Sequence, residues 1–456
     1  MIKNSSKKQQ LNLFSSPLSQ MLDMNDPLIA LSDTIDWKIF EDNFEKYYSK
    51  EGRPAKPIRL MVGILLLKQI ENLSDENVVL QWKRNPYYQY FCGFDELQIV
   101  EPCHPTDLVY FRKRIGTEGM KLIFAMSVNL HSNAKEEKQV IVDTTLQENN
   151  ITYPTDGKLA IKIINHLIKI AKKENIKLRR TYMKEIKGHR ISLRFFRHPK
   201  KRKKAKTAMK RLKTIAKTIL RDIDRKFGNN MELHKKYAEK FYLYMRVLLQ
   251  EKNSKNKIYS LHETHAYAVN KGKDHKGYEY GTKASVVTTK KSGIIIGVAS
   301  HIKNEHDSKT LEDALTHANS NRIKPIKEAI CDRGYRGVKE VLGVTISIPA
   351  IPLKRDTKYQ KEKKRKKFKR RASIEPIIGH LKSDHRMARN YLKGFIGDEI
   401  NLLLAASAFN LKKWMNIFIL YFIVLKIAII IYALREEKPK DRQKYLQLFL
   451  LILKLW

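Results

Sequence analysis

Apolar positions along the chain change their period three times, and each change predicts a different kind of structure. From Asp26 to about Ser132 they recur at helical spacing. The stretch Ile58 to Lys68 is apolar on every face, as a core helix of a small bundle would be. Ser74 before Asp75-Glu76-Asn77 predicts a capped start for the helix through Trp82, and His104-Pro105-Thr106-Asp107 opens another through Arg114. The aromatic cluster Pro86 to Phe91 reads as core. The short apolar run Gln139 to Val142, ending at Asp143, predicts a buried strand. A second helical stretch, about Asp156 to Asn256, sets Lys and Arg between apolar residues three and four apart. From Ile258 strands take over. Tyr280–Thr289 and Gly293–His301 flank the hairpin signal Lys290-Lys291-Ser292-Gly293. A helix follows over Ser308–Asn319, then strands over Ile326–Asp332 and Val344–Ile351.

This order predicts an α/β domain interrupted by a helical excursion and preceded by an all-helical domain. The boundaries read as residues 1–25 polar and flexible, 26–132 helical, 133–155 with 257–414 forming the α/β domain, 156–256 the insertion, and 415–456 an apolar helical tail. In the tail, Ile417 to Leu434 is about long enough to span a bilayer. Lys426 interrupts it, at a cost of about 2.5–3.5 kcal/mol on insertion scales, so a packed or oligomer-forming helix is the favoured reading over a membrane span.

Charge adds a partner. In 456 residues, 90 Lys and Arg face 47 Asp and Glu, a net charge of +43. AT-rich coding accounts for some of the lysines, but the imbalance points to a polyanion bound in a salt-sensitive way. Arg112, Lys113 and Arg114 on their short helix, and Lys201, Arg202 and Lys203 in the run His198 to Lys204, are the candidate contacts to DNA backbone. The run His198 to Lys204 reads equally as a solvated loop, and Arg112 to Arg114 also fit a solvated helix face, but for the amino-terminal domain as a whole DNA binding is the favoured reading. Cys92, Cys103 and Cys331 form no CxxC pair and no zinc spacing, which fits a reducing compartment. Met1 to Gln10 is polar and basic with no apolar core after it, so no secretory signal is expected and the location expected is cytoplasmic.

Three carboxylates carry candidate chemistry. Asp143 and Asp332 each end an apolar strand-like run, and Glu375 sits in the helix-like stretch Arg371 to Lys382. Phosphodiester cleavage with two divalent cations needs hard oxygen ligands converging from rigid elements. Asp156, in Tyr153-Pro154-Thr155-Asp156, competes with Asp143 for the first position. Pro376 suits a first helical turn, which puts the helix start near Ser373 and Arg371 just outside it. His380 and His385 read as structural histidines.

The spacing Phe368-x2-Arg371-x3-Glu375-x6-Lys382 follows the Y-(2)-R-(3)-E-(6)-K signature of bacterial DDE transposases, with Phe in the Tyr position. Val142-Asp143-Thr144-Thr145, Tyr259 to Glu263, Lys271 to Lys276, Tyr278 to Lys283, Asp332 to Gly337 and Gly379 to Met387 extend the match. Up to about Trp414 the chain resembles the IS5-type insertion-sequence transposases of the IS4/IS5 superfamily. The resemblance implies an RNase H-like catalytic core with a helical insertion, preceded by an all-α DNA-binding domain. It implies that Asp143, Asp332 and Glu375 hold two Mg2+ ions, with Mn2+ able to substitute. Arg371 and Lys382 would contact DNA near the cut, and Phe368, lacking the hydroxyl, would stack on a base. The implied partners are the inverted-repeat ends and target DNA, met as a homodimer or larger assembly at the bacterial nucleoid. Rival readings are an end-binding protein that does not cut, a membrane-associated basic protein, and a repair or recombination nuclease.

Overall fold

The computed structural model describes residues 16–49, 51, 54–251, 253–273 and 276–436, with side chains described outside 271–276 and 428–436. The first fifteen residues and the second apolar patch, Tyr445–Trp456, lie outside the described residues.

The amino-terminal part is helical: α1 (Leu18–Met21), α2 (Pro27–Thr34), α3 (Lys38–Phe44), α4 (Ile58–Ile70), α5 (Asp75–Arg84), α6 (Pro86–Phe91) and α7 (Pro105–Asn129). As its all-round apolar pattern predicts, α4 is buried everywhere except Arg59. The Ser74 side chain caps α5, accepting from the Asn77 N–H at 3.1 Å. A capping box at His104 and Asp107 starts α7, which kinks at Gly116, where φ is 58°. Within the start expected to be flexible, residues 1–25, the described part is packed against the fold. Leu18 is fully buried and its N–H donates to the Asp95 carbonyl at 2.7 Å.

The sheet contains β1 (Gln139–Asn149), β2 (Tyr267–Lys273), β3 (Lys276–Thr289), β4 (Ile295–His301), β5 (Glu328–Ile330), β6 (Glu340–Val341), β7 (Val344–Ser347) and β8 (Arg389–Asn390). Its main path is β2-β3-β1-β5-β7-β6, with β4 also on β3 and β8 also on β1. The β1–β3 and β3–β4 pairs are antiparallel, whereas β1–β5 and β5–β7 are parallel. Asp143 does not end its strand. It lies in the interior of β1, opposite Val286, and the strand continues to Asn149.

Between β1 and β2 the chain forms α8 (Asp156–Lys173), α9 (Met183–Ser192), α10 (Arg202–Phe227) and α11 (Met231–Leu249). These helices bury their own core, including Ile163, Leu167, Leu212, Ile215, Ile219 and Phe227. The remaining helices are α12 (Leu311–Ser320), α13 (Lys358–Arg371), α14 (Ile374–Ser383) and α15 (Gly394–Glu436).

The boundary expected near residue 414 is crossed by one helix. Residues of α15 up to Met415 are largely buried, whereas Ile417, Leu420, Tyr421 and Val424 are exposed. Packing against α2, α4, α7 and β4, α15 joins the amino-terminal helices and the sheet into one hydrophobic core, from Leu31 to Met415. Gly394–Ile427 is long and apolar enough to cross a membrane by length and composition alone.

Candidate active site

Parallel pairing brings the two aspartates together. Ile141 on β1 is level with Ile330 on β5, and continuing that register by two residues sets Asp143 level with Asp332. Neighbouring strands lie about 4.8 Å apart, and residues two apart share a face. Ile141 and Ile330 pack with Ile374 and Ile378 of α14, so that face of the sheet lies under α14. Glu375 stands in the first turn of this helix, and Pro376 is tolerated there because its missing N–H has no helical partner to lose. Sheet register, one isoleucine cluster and one helix start therefore place the three acids in one region of the fold.

The local fixing differs from one acid to the next. Asp143 Oδ1 accepts from the Thr144 N–H at 2.8 Å. Asp332 Oδ1 accepts from the Gly334 N–H at 2.8 Å, capping the short 3-10 turn Arg333–Tyr335. Glu375 Oε1 is bonded by Arg371 Nη2 at 2.5 Å. Burial pushes the Asp143 carboxyl up to about 6, with the charges of Asp332 and Glu375 adding to it and the Thr144 bond and Arg371 opposing.

A buried acid that feels the charges of two further acids offers, with them, hard oxygens of the kind a divalent cation takes. As placed, however, no three acid, His or Cys side chains among the described residues are close enough together to enclose an ion. The donors fit a metal in kind, and Glu375 is paired with Arg371 through one of its two oxygens.

Beside the acids lies an open cavity of about 310 Å³, lined by Asp332, Arg333, Ile348, Pro349, Phe368 and Arg371. Phe368 is 45% exposed at its rim, and the Arg371 guanidinium lies 5.8 Å from the Phe368 ring centre. The Arg371 Nε–H is buried without a hydrogen-bond partner, a donor available to an incoming oxyanion. Arg371 ends α13, outside α14 as the proline position predicts. Ten of the fourteen residues of α13 are Lys or Arg, and none is buried. Lys382 lies two turns beyond Glu375 on α14 and is half-buried.

The other sequence candidates fall elsewhere. Asp156, the rival to Asp143, is tied to Lys213 and Lys257 at the start of α8, at 3.3 and 3.7 Å. Arg112 is corrected as a DNA contact: its side chain is 4% exposed and it holds Asp75 through two hydrogen bonds. Arg114 stacks over Tyr48 and Lys113 is exposed. Lys201, Arg202 and Lys203 form the exposed start of α10, where cations oppose the helix dipole and an anion would relieve them. His385 is buried against the Gln69 carbonyl, while His380 is exposed and paired with Asp384.

Sequence reasoning missed Arg333, Ile348 and Pro349 in the cavity wall, and it missed Asp398. Asp398 is fully buried in the first turns of α15. It accepts from Asn149 and Asn390 at 2.7 Å, from Thr282 at 3.1 Å and from the Gln147 amide, and it pairs with His265 at 2.8 Å. No signal short of the fold shows it, because its partners come from four separate segments.

Two family models match the chain. "Transposase domain (DUF772)" covers residues 16–114, and "Transposase DDE domain" covers residues 257–411. A protein of Rhizobium meliloti, described as "Uncharacterized protein ORF8 in nfe locus", is 37% identical over 192 residues, which is 41% of this chain and 93% of that protein. No solved structure matches. The second family match spans both Asp332 and Glu375. With the two matches bracketing β1 and the insertion, the chain belongs to the DDE transposases.

Proposed function

We propose that the chain is an IS5-type insertion-sequence transposase that binds its element's inverted-repeat ends, nicks them by metal-dependent hydrolysis and joins the 3′-hydroxyl ends to target DNA. The observation that carries this is the placement of Asp143 on β1 and of Asp332 two residues beyond the end of the adjacent parallel strand β5, under the helix whose first turn carries Glu375. The order β4-β3-β1-β5-β7, antiparallel on one side of β1 and parallel on the other, supports an RNase H-like core. The amino-terminal helices, the first to match a transposase family, are assigned to DNA binding.

In this reading Asp143, Asp332 and Glu375 hold two Mg2+ ions, or Mn2+, whose charge would stabilise the attacking and leaving oxygens. The protein's own part is placement. The α13 cations hold the DNA backbone beside the cavity, Arg371 gives its free Nε–H to a phosphate oxygen, and Phe368 stacks at the rim. Lys382, Lys113, Arg114 and Lys201 to Lys203 add backbone contacts at longer range. Arg371 holds Glu375 through its Nη2 and keeps the Nε–H for the phosphate, so one guanidinium would serve both the carboxylate and the DNA. Two ends must be processed, which calls for at least a dimer on DNA, acting in the bacterial cytoplasm at the nucleoid.

The test is cleavage of labelled DNA bearing the sequences that flank the gene, with and without Mg2+. Nicking at the 3′ ends that needs Mg2+, and that vanishes in an Asp332→Asn variant still able to bind those ends, is expected. Binding without cutting in either Mg2+ or Mn2+ would instead assign an end-binding protein.

A further inference from the structure

A fourth carboxylate lies beside the site, with its own counter-cation. Asp307 opens a short 3-10 turn, Asp307–Lys309, between β4 and α12, and this turn packs against the turn Arg333–Tyr335. A methyl group built on Gly334 would lie 3.0 Å from Asp332 Oδ1 and 3.1 Å from Asp307 Oδ2. The two carboxylates therefore face each other across one glycine. The other oxygen of Asp307 accepts from Lys283 Nζ at 3.0 Å, and Lys283 also donates to the Glu305 carbonyl at 2.7 Å.

Lys283 comes from β3, level with Leu146 on β1, three residues beyond Asp143. Tyr335 is fully buried in this region, and burial pushes its hydroxyl up, with Asp307 and Asp143 among the charges that add to the shift. Asp307 is thus within electrostatic reach of the same buried tyrosine as Asp143.

Two like charges this close repel unless something between or behind them is positive. Lys283 supplies that charge, yet it is bonded to Asp307 and not to Asp332. The arrangement has a directional consequence. Were Asp307 uncharged, the ammonium would lose its carboxylate partner, and Asp332 is the acid that faces Asp307 across Gly334. The ammonium would then compete for the oxygens that a cation needs.

We propose that Asp307 is a positioning residue of the catalytic centre: it holds Lys283 off Asp332, so that Asp332 remains free for a divalent cation. This rests on the reading of Asp332 as a cation ligand.

The test is Mn2+ affinity of the full chain without DNA, read from the electron paramagnetic resonance signal of free Mn2+. Asp307→Asn should weaken binding about 10–100-fold, the size usual for residues that orient metal ligands. Lys283→Gln should bind at least as tightly as the unaltered chain. The double variant should recover most of the loss, because the competing ammonium is gone. Circular dichroism of each variant checks that it is folded, and Asp307→Glu, which keeps the charge, should rescue binding.

An ion pair that serves only the fold would make the two single variants alike and the double variant no better than either. That pattern, or unchanged affinity in Asp307→Asn, would overturn the proposal. Asp332→Asn separates the two failures. If it weakens binding while Asp307→Asn does not, only the role of Asp307 falls. If it binds as the unaltered chain does, or if that chain binds no Mn2+, the metal-site reading falls with it.

Discussion

Asp75 shows how far a single residue's role depends on partners that spacing cannot reveal. Lys68 Nζ lies 2.8 Å from it and Arg112 holds both of its oxygens, with all three side chains mostly buried. One carboxylate serves two cations. Its hydrogen bonds to Arg112 and Lys68 and their charges outweigh burial and hold it down to about 2, while burial, with Arg112 adding, pushes the Lys68 ammonium down to about 8. Removing the acid leaves two buried cations unpaired, so Asp75→Asn should cost about 3–5 kcal/mol in denaturant unfolding. Because the folded-state value of Asp75 is depressed, its stabilisation is full above the unfolded value near 4. It should be lost as pH falls from about 4 toward 2. The pattern Arg112-Lys113-Arg114 reads as a basic face, and nothing in it points to an acid 37 residues upstream. The three catalytic candidates were legible because each follows an apolar run or fits a family spacing. The partners of Arg112 were not.

Among the elements, β1 was only half legible for a related reason. Its first half is apolar and announces itself. Its second half, Thr144 to Asn149, is mostly polar, yet Gln147 and Asn149 are buried. Hydrophobic alternation fails there because burial is compensated by hydrogen bonds to Asp398 and not by apolar contact. The buried acid also raises His265, first through their hydrogen bond and then through its charge. A raised histidine adds stability below its unfolded value, and loses it as pH climbs through the folded one. Asp398→Asn should therefore lower the His265 titration point seen by NMR and flatten that pH dependence. It should also destabilise the fold by about 1–3 kcal/mol, because hydrogen bonds to a buried charge are exchanged for weaker ones. An unmoved His265 titration would refute the assignment of this pair. By contrast α14 was legible in detail, since Pro376 admits few helix registers.

For the molecule as a whole, the order of helical, strand-rich and inserted segments could be read from the period of the apolar residues. Their union could not. A single helix, α15, carries the shared core, and the sequence shows only a long apolar stretch without saying which part is covered. Among the described residues, burial that falls off after Met415 makes a direct prediction. A chain ending at residue 416 should fold with a melting temperature close to that of the full chain, whereas one ending at residue 399 should not fold, having lost Leu402, Leu403, Leu404 and Leu411. The charge of +43 and the exposed cations of α13 call for DNA affinity that falls steeply with salt. The most direct test compares Mg2+-dependent nicking by Asp143→Asn, Asp332→Asn, Glu375→Gln and Asp156→Asn under conditions where all four bind the ends. The account predicts losses of about a hundredfold to a thousandfold or more in the first three, and near-normal cutting by the fourth. Normal cutting by Asp143→Asn, or a dead Asp156→Asn that is properly folded, would contradict it.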